Sequence, residues 1–194
     1  MASFPTAVVL SRAVYGTDIR AQGSGNAGAA NMLRSFGWKP AALVLVVDVA
    51  KGFLPTLFVT RLPFLAMPRS EEILPLIAGT AAVVGHCYPL FAGLRGGKGM
   101  ATAAGMFLAL FPLALVVCVA VFATIAASTG RVSLASVVAS VAMPVSLLVS
   151  RAGLGYPTSR ASLLATTLIA GFIVFTHRAN LSRIWHGTEP RVGR

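Results

Sequence analysis

The chain is short of charge, and of acid above all. Only 11% of its 194 residues are charged and Asp plus Glu number 5, where a soluble domain carries roughly 25% charged residues. That is too little charge to cover a soluble surface. The hydrophobic content of 56% and the mean hydropathy of +0.81 exclude a disordered chain as well. Cysteine is scarce too. Cys87 and Cys118 lie in or beside apolar stretches, where a thiol is ordinarily a small core residue, so no disulfide framework is expected. The three histidines, at 86, 177 and 186, lack metal-ligand spacing, and neither a metal nor an organic cofactor is implied. No Ser-His-Asp set and no obvious carboxylate base emerge. What remains is a polytopic integral membrane protein.

Base is plentiful by contrast, with 16 Lys plus Arg. These residues are spread along the chain and accompany no nucleic-acid motif, so nucleic acid is not an expected partner. They suit loops facing anionic lipid head groups and a site for anionic ligands.

Apolar runs occupy roughly 4–16, 40–60, 71–90, 99–111, 112–128, 132–150 and 161–176. A bilayer-spanning helix needs about 20 residues. The first run is too short, and without a basic leader or cleavage site it is not a signal peptide. The stretch 99–128 is either one long tilted helix or two short ones broken at Pro112. Charge parity decides. Two crossings give seven spans and place Arg12, Arg20, Arg34, Lys39, Arg95, Lys98, Arg131, Arg178, Arg183, Arg191 and Arg194 on one side, against Arg61, Arg69, Arg151 and Arg160 on the other. A single crossing nearly equalises the two sides. The positive-inside rule favours two short helices with a turn near Phe111–Pro112. The expected fold is therefore all-α, one membrane-embedded domain over 1–194, with seven transmembrane helices, the first truncated, and the loops at 17–39, 91–98 and 129–131 on the cytoplasmic face.

Those loops hold the unusual residues. Gly23-Ser-Gly-Asn-Ala-Gly28 formally matches a dinucleotide fingerprint, but no soluble strand precedes it, Pro40 interrupts the unit and Asp48 lies inside an apolar run. The local mechanics survive that rejection. Gly23, Ser24 and Gly25 expose backbone amides, Asn26 is a good N-cap, and a short helix over 27–36 closed by Gly37 would present its N-terminus to an anion. Asn31 and Arg34 share a face of it. A lipid-facing interfacial loop is the plainer alternative.

Gly96-Gly-Lys-Gly-Met-Ala-Thr102 fails as a P-loop, since Ala92 and Gly99 stand where a Gly and a Ser or Thr belong. A glycine-rich turn, Lys98 and a helix start still make a second anion cradle, within reach of Thr102. His86, just upstream, is either a hydrogen-bonded structural histidine or a base. Asp48 and Lys51 sit three apart in an apolar helix, where intramembrane charge is costly. Mutual pairing explains most of that, and Lys51 adds positive field. Ser133 either contacts a ligand or bonds back to its own helix. Thr176-His-Arg-Ala-Asn-Leu-Ser-Arg183 sets His177 and Asn180 at the end of the last span. An anion transporter is the rival reading, weakened by the absence of an internal or inverted repeat.

DIRAQGSGNAGAANMLRSFG with DVAKG, GHCYPLFAGLRGGKGMAT, RVSLAS and HRANLSR resemble, in order, the four motifs of the bacterial acyl-phosphate-dependent glycerol-3-phosphate acyltransferases. The resemblance implies transfer of a fatty acyl group from acyl phosphate to the 1-hydroxyl of sn-glycerol 3-phosphate, giving lysophosphatidate and phosphate in the first step of phospholipid synthesis. It implies a seven-helix protein of the bacterial inner membrane, acting as a monomer after an enzyme that supplies acyl phosphate. Lys98 with Gly96, Gly97 and Gly99 would hold acyl phosphate. Ser24, Asn31, Arg34 and Lys51 would hold glycerol phosphate, with His177 and Asn180 closing the site. For the base, His86 competes with the substrate phosphate. The His-x4-Asp dyad of other glycerol-phosphate acyltransferases is absent, since position 91 is Phe. The family's usual G-A-T-N reads Gly28-Ala-Ala-Asn31 here, and the first helix starts later than is usual, at a truncated span or a misassigned start.

Overall fold

Every apolar run becomes α-helix in the computed structural model, which describes residues 3–62, 70–153 and 158–191. Arg69 and Arg194, counted in the charge parity above, lie outside the described residues. No strand occurs among those described. The order is α1 (Thr6–Tyr15), α2 (Ala29–Phe36), α3 (Trp38–Phe58), α4 (Ser70–Cys87), α5 (Met100–Leu110), α6 (Pro112–Thr129), α7 (Val132–Gly153), α8 (Arg160–Thr176) and α9 (Arg178–Trp185).

The break expected within 99–128 is present. Phe111, with φ −140° and ψ 61°, separates α5 from α6, and Pro112 is the first residue of α6. Proline has no N–H to donate and drives the residue before it out of the helical region, whereas at a helix start its missing donor costs nothing. Pro40 obeys the same rule. It does not interrupt the chain as the sequence suggests but sits in the first turn of α3. The helix expected over 27–36 begins later, at Ala29, and its N-cap is Gly28 without a side-chain cap bond, not Asn26. A separate α9 was not expected; it leaves α8 at a 58° bend.

Among the described residues, four helical segments are long and apolar enough to cross a membrane: Trp38–Arg61, Ile73–Ala92, Pro112–Thr129 and Val132–Gly153. The bent pair α8–α9 makes a fifth candidate, and α1 and α5 are shorter apolar helices. The α6 segment has a hydropathy of 2.2 yet only 11% of it is buried within the protein, the signature of a lipid-facing surface.

The chain forms two compact units, Met1–Leu110 and Phe111–Arg194. In the first, α3 packs against α1, α2, α4 and α5. Its contact with α5 is a backbone-to-backbone approach: a Cβ on Gly52 would lie 1.9 Å from the Thr102 carbonyl oxygen, and one on Gly105 would lie 1.9 Å from that of Val49. Where lipid tails give helices no hydrophobic reason to associate, such small-residue contact supplies the dispersion energy. Ile19, Met32 and Val44 anchor a buried cluster that fixes the segment between α1 and α2. In the second unit α7 packs against α6, α8 and α9.

Candidate functional site

The loop between α1 and α2 is shaped by one side chain. Asn31, buried in the first turns of α2, accepts from the Ser24 amide at 2.8 Å. Its Nδ2 donates to the carbonyls of Ile19, Gln22 and Asn26, each at 3.0 Å. Asn31 is thus the hub on which the loop closes, and its hydrogen-bonding capacity is committed to the protein. Arg34, one turn on, is half-buried, and its Nε is enclosed without a protein partner. A guanidinium placed so suits an anionic ligand.

Arg20 stands in the first motif without a role assigned from the sequence, yet its side chain makes more hydrogen bonds than that of Asn31. Asp18 caps a single 3-10 turn over Ile19–Ala21 by accepting from the Arg20 amide. The same carboxylate takes Arg20 Nε at 3.0 Å and Nη2 at 2.7 Å. Arg20 Nη1 then donates across to the Ala92 carbonyl at 2.8 Å and the Arg95 carbonyl at 3.3 Å. Arg12 adds a further bond to Asp18 at 2.8 Å. The hydrogen bonds from Arg20 hold the Asp18 carboxyl well below the usual carboxylate range, against the opposing effect of its partial burial. These groups line an open cleft of about 710 Å³ with Gly25, Phe91, Gly93, Arg95 and Gly96.

The second loop is held by its backbone. The amides of Gly96 and Gly97 donate to the carbonyls of Cys87 and His86 at 3.1 and 3.3 Å, the exposed carbonyls at the end of α4. This corrects the expectation that those two amides cradle an anion: they point back into the protein. Gly97 also lies on the His86 ring, so close that a Cβ there would come within 2.1 Å of Nε2. Lys98, half-buried, follows directly and precedes the first turn of α5, where a helix start favours negative charge. Thr102 is fully buried. Its hydroxyl has no protein partner, and its carbonyl is the atom on which Gly52 packs.

Beneath the second loop lies a buried ion cluster. Asp48 Oδ1 accepts from Lys51 Nζ at 2.8 Å and from Thr6 Oγ1 at 3.1 Å, and stands 3.6 Å from His86 Nδ1. Lys51 also donates to the Phe4 carbonyl at 2.5 Å and to Thr6 Oγ1. Its three N–H groups are therefore matched by three protein acceptors, and what it offers a ligand is field rather than a donor.

In the second unit the remaining expected residues gather on a carboxylate that the sequence did not single out. Glu189 accepts from Ser133 Oγ at 2.6 Å, Asn180 Nδ2 at 2.7 Å and Arg183 Nε at 2.8 Å. Ser133 therefore bonds to Glu189 and not back to its own helix. Burial pushes the Glu189 carboxyl up, but those three hydrogen bonds outweigh it and hold it below its ordinary value. Rarity was the available signal, since Glu189 is one of only 5 acids. His177 sits at the α8–α9 bend with Nδ1 2.8 Å from the Ile173 carbonyl.

The chain matches a family model described as glycerol-3-phosphate acyltransferase over residues 1–187. It is 40% identical to a glycerol-3-phosphate acyltransferase of Salinibacter ruber, covering 99% of this chain and 88% of that one. It is 39% identical to one of Bacillus cytotoxicus, covering 98% and 89%. Among solved structures it is similar to the integral membrane glycerol 3-phosphate acyltransferase PlsY (YgiH) in its glycerol 3-phosphate form. The TM-score there is 0.82 at 33% identity, covering 99% of this chain and 92% of that one. The lysophosphatidic acid form of the same protein aligns with a TM-score of 0.79 at 32% identity.

Proposed function

The chain belongs to the glycerol-3-phosphate acyltransferase family, and from that membership and the geometry of its loops we propose that it transfers a fatty acyl group from acyl phosphate to the 1-hydroxyl of sn-glycerol 3-phosphate, releasing lysophosphatidate and inorganic phosphate. The observation that carries the reading is the tie from Arg20 to the Ala92 and Arg95 carbonyls. It joins the loop bearing Ser24 and Arg34 to the loop bearing Lys98, so two phosphorylated ligands are handled side by side.

Acyl phosphate is a mixed anhydride, already activated, so no covalent enzyme nucleophile is needed. The glycerol hydroxyl forms a C–O bond to the acyl carbon while the bond from that carbon to the phosphate oxygen breaks. Negative charge grows on the carbonyl oxygen and on the departing phosphate. Fixed cations and N–H groups stabilise both. Lys98, Gly99 and the first turn of α5 hold the acyl-phosphate group, with Gly96 and Gly97 setting the loop. Ser24, Gly25, Asn26 and Arg34 hold glycerol phosphate on a loop shaped by Asn31, within the field of Lys51. Thr102 supports the start of α5. His177, Asn180 and Ser133 contribute from the third and C-terminal motifs, Asn180 and Ser133 being oriented by Glu189. The hydroxyl proton passes to the substrate phosphate, whose second pKa is about 6, with His86 as the competing acceptor.

The reading includes one domain over 1–194, working as a monomer in the bacterial inner membrane and fed by an acyl-phosphate-producing enzyme. It also includes seven spans, drawn from the long apolar helices, the bent pair and the shorter α1 and α5, with the motif loops cytoplasmic as the basic-residue count requires. Labelled sn-glycerol 3-phosphate tests the function. Incorporation into lysophosphatidate that requires acyl phosphate and is lost in Lys98→Ala supports it. Counterflow of the label into liposomes without acylation would replace it with a transporter.

A further inference from the structure

The geometry points to Arg20 as a positioning residue that sets the distance between the two substrate loops, a role resting on the reading above. Its guanidinium spends one edge on Asp18, through Nε and Nη2. The remaining nitrogen, Nη1, reaches two carbonyls of the other loop, Ala92 and Arg95. Arg95 directly precedes Gly96-Gly97-Lys98 and its amide bonds to the Ala92 carbonyl one turn earlier, so moving these carbonyls moves Lys98.

The tie is built to be stiff. Asp18 grips the side chain of Arg20 and caps the turn carrying its backbone at the same time, so the fork has little freedom of its own. Arg12 adds a further charge-assisted bond to the same carboxylate. Only a planar fork with donors on two edges joins a carboxylate to carbonyls in this way. A lysine ammonium keeps the charge but cannot reproduce the geometry. The side-chain hydrogen bonds of Arg20 go to Asp18 and to the Ala92 and Arg95 carbonyls, so it acts on alignment and not on affinity. Misplacing reacting groups by about 1 Å costs up to roughly 100-fold in rate.

The test is steady-state kinetics of Arg20→Lys in the full chain, with palmitoyl phosphate and sn-glycerol 3-phosphate varied separately and the melting temperature measured alongside. The expected result is a kcat reduced by about 10- to 100-fold, both KM values unchanged within about threefold, and an unchanged melting temperature. Asp18→Asn, which loosens the grip but leaves the fork, shows the same kinetic pattern more weakly, with a lower melting temperature because the stabilising carboxylate charge is gone. A rise in either KM with kcat intact would overturn the proposal and make Arg20 a direct substrate ligand. Wild-type kinetics in Arg20→Lys, or a melting temperature that falls together with activity in that variant, would overturn it too. Wild-type protein that makes no lysophosphatidate in the same assay would instead refute the acyltransferase reading itself.

Discussion

The two glycine-rich loops of the first unit look alike as sequence and are held in opposite ways. The loop over 17–28 hangs on a side chain, Asn31, which reaches four backbone groups. The loop over 88–99 hangs on its own backbone, with Gly96 and Gly97 donating to the end of α4 and the His86 ring pressed against Gly97. The first is a polar network, in which losing the hub removes the partner of the Ser24 amide and of the Asn26 carbonyl. The second is a steric fit with no slack. Glycine therefore makes room for different side chains in the two loops: Gly23, at positive φ, clears the Asn31 amide in the first, and Gly97 clears the His86 ring in the second.

The sharpest break of that comparison is Gly97→Ala. The added Cβ cannot coexist with His86 Nε2, so the loop or the ring must move and carry Lys98 with it. Acyl transfer should fall by about 100-fold or more, as measured by lysophosphatidate formation. Combining it with His86→Ala should recover the melting temperature lost in the single variant, because the obstacle is gone. If the double variant is no more stable than the single one, the steric account fails.

Asn31→Ala comes next. It removes the Asn31 partner of the Ser24 amide and the Asn26 carbonyl, while the carbonyls of Ile19 and Gln22 keep the backbone amides of Gln22 and Gly25. The buried part of that loss costs about 3 kcal/mol, read from a denaturant or thermal shift in detergent. KM for glycerol phosphate should rise about tenfold, and that for acyl phosphate should not. Equal effects on both would mean that the two loops are not separately supported.

The smallest effect is that of pH. Asp18 and Glu189 both titrate below their ordinary values in the folded protein. Their stabilising contribution is therefore fully present above the unfolded-state pKa and fades as pH falls below about 4, through the lowered folded values. Melting temperatures should be flat from pH 7 to 5 and decline below that window. In Glu189→Gln the decline should shrink, leaving only the part that Asp18 contributes. A variant as acid-sensitive as the wild type would show that Glu189 is not a stabilising hub.

Much of this architecture is legible in the residues. The apolar runs give the helices, and Pro112 with the charge parity gives the break at Phe111. Glycine, lysine and arginine mark both loops, and four ordered motifs mark the family. What a motif does not carry is the direction in which a group points. Asn31 reads equally well as a ligand contact or as a loop hub. The amides of Gly96 and Gly97 turn toward α4 only because tertiary packing brings its last carbonyls within reach. Ser133 and Asn180 meet Glu189 across 56 and 9 residues of chain, and no periodicity records that meeting. The role of Arg20 is hidden for the same reason, since its partners are carbonyls 72 and 75 residues away.

Phosphate release by the purified protein in lipid mesophase, given palmitoyl phosphate with and without sn-glycerol 3-phosphate, tests the central claim most directly. The account predicts release only when both substrates are present, matched by lysophosphatidate and abolished in Lys98→Ala. Release from palmitoyl phosphate alone at the same rate, or no release from folded protein given both, would contradict it.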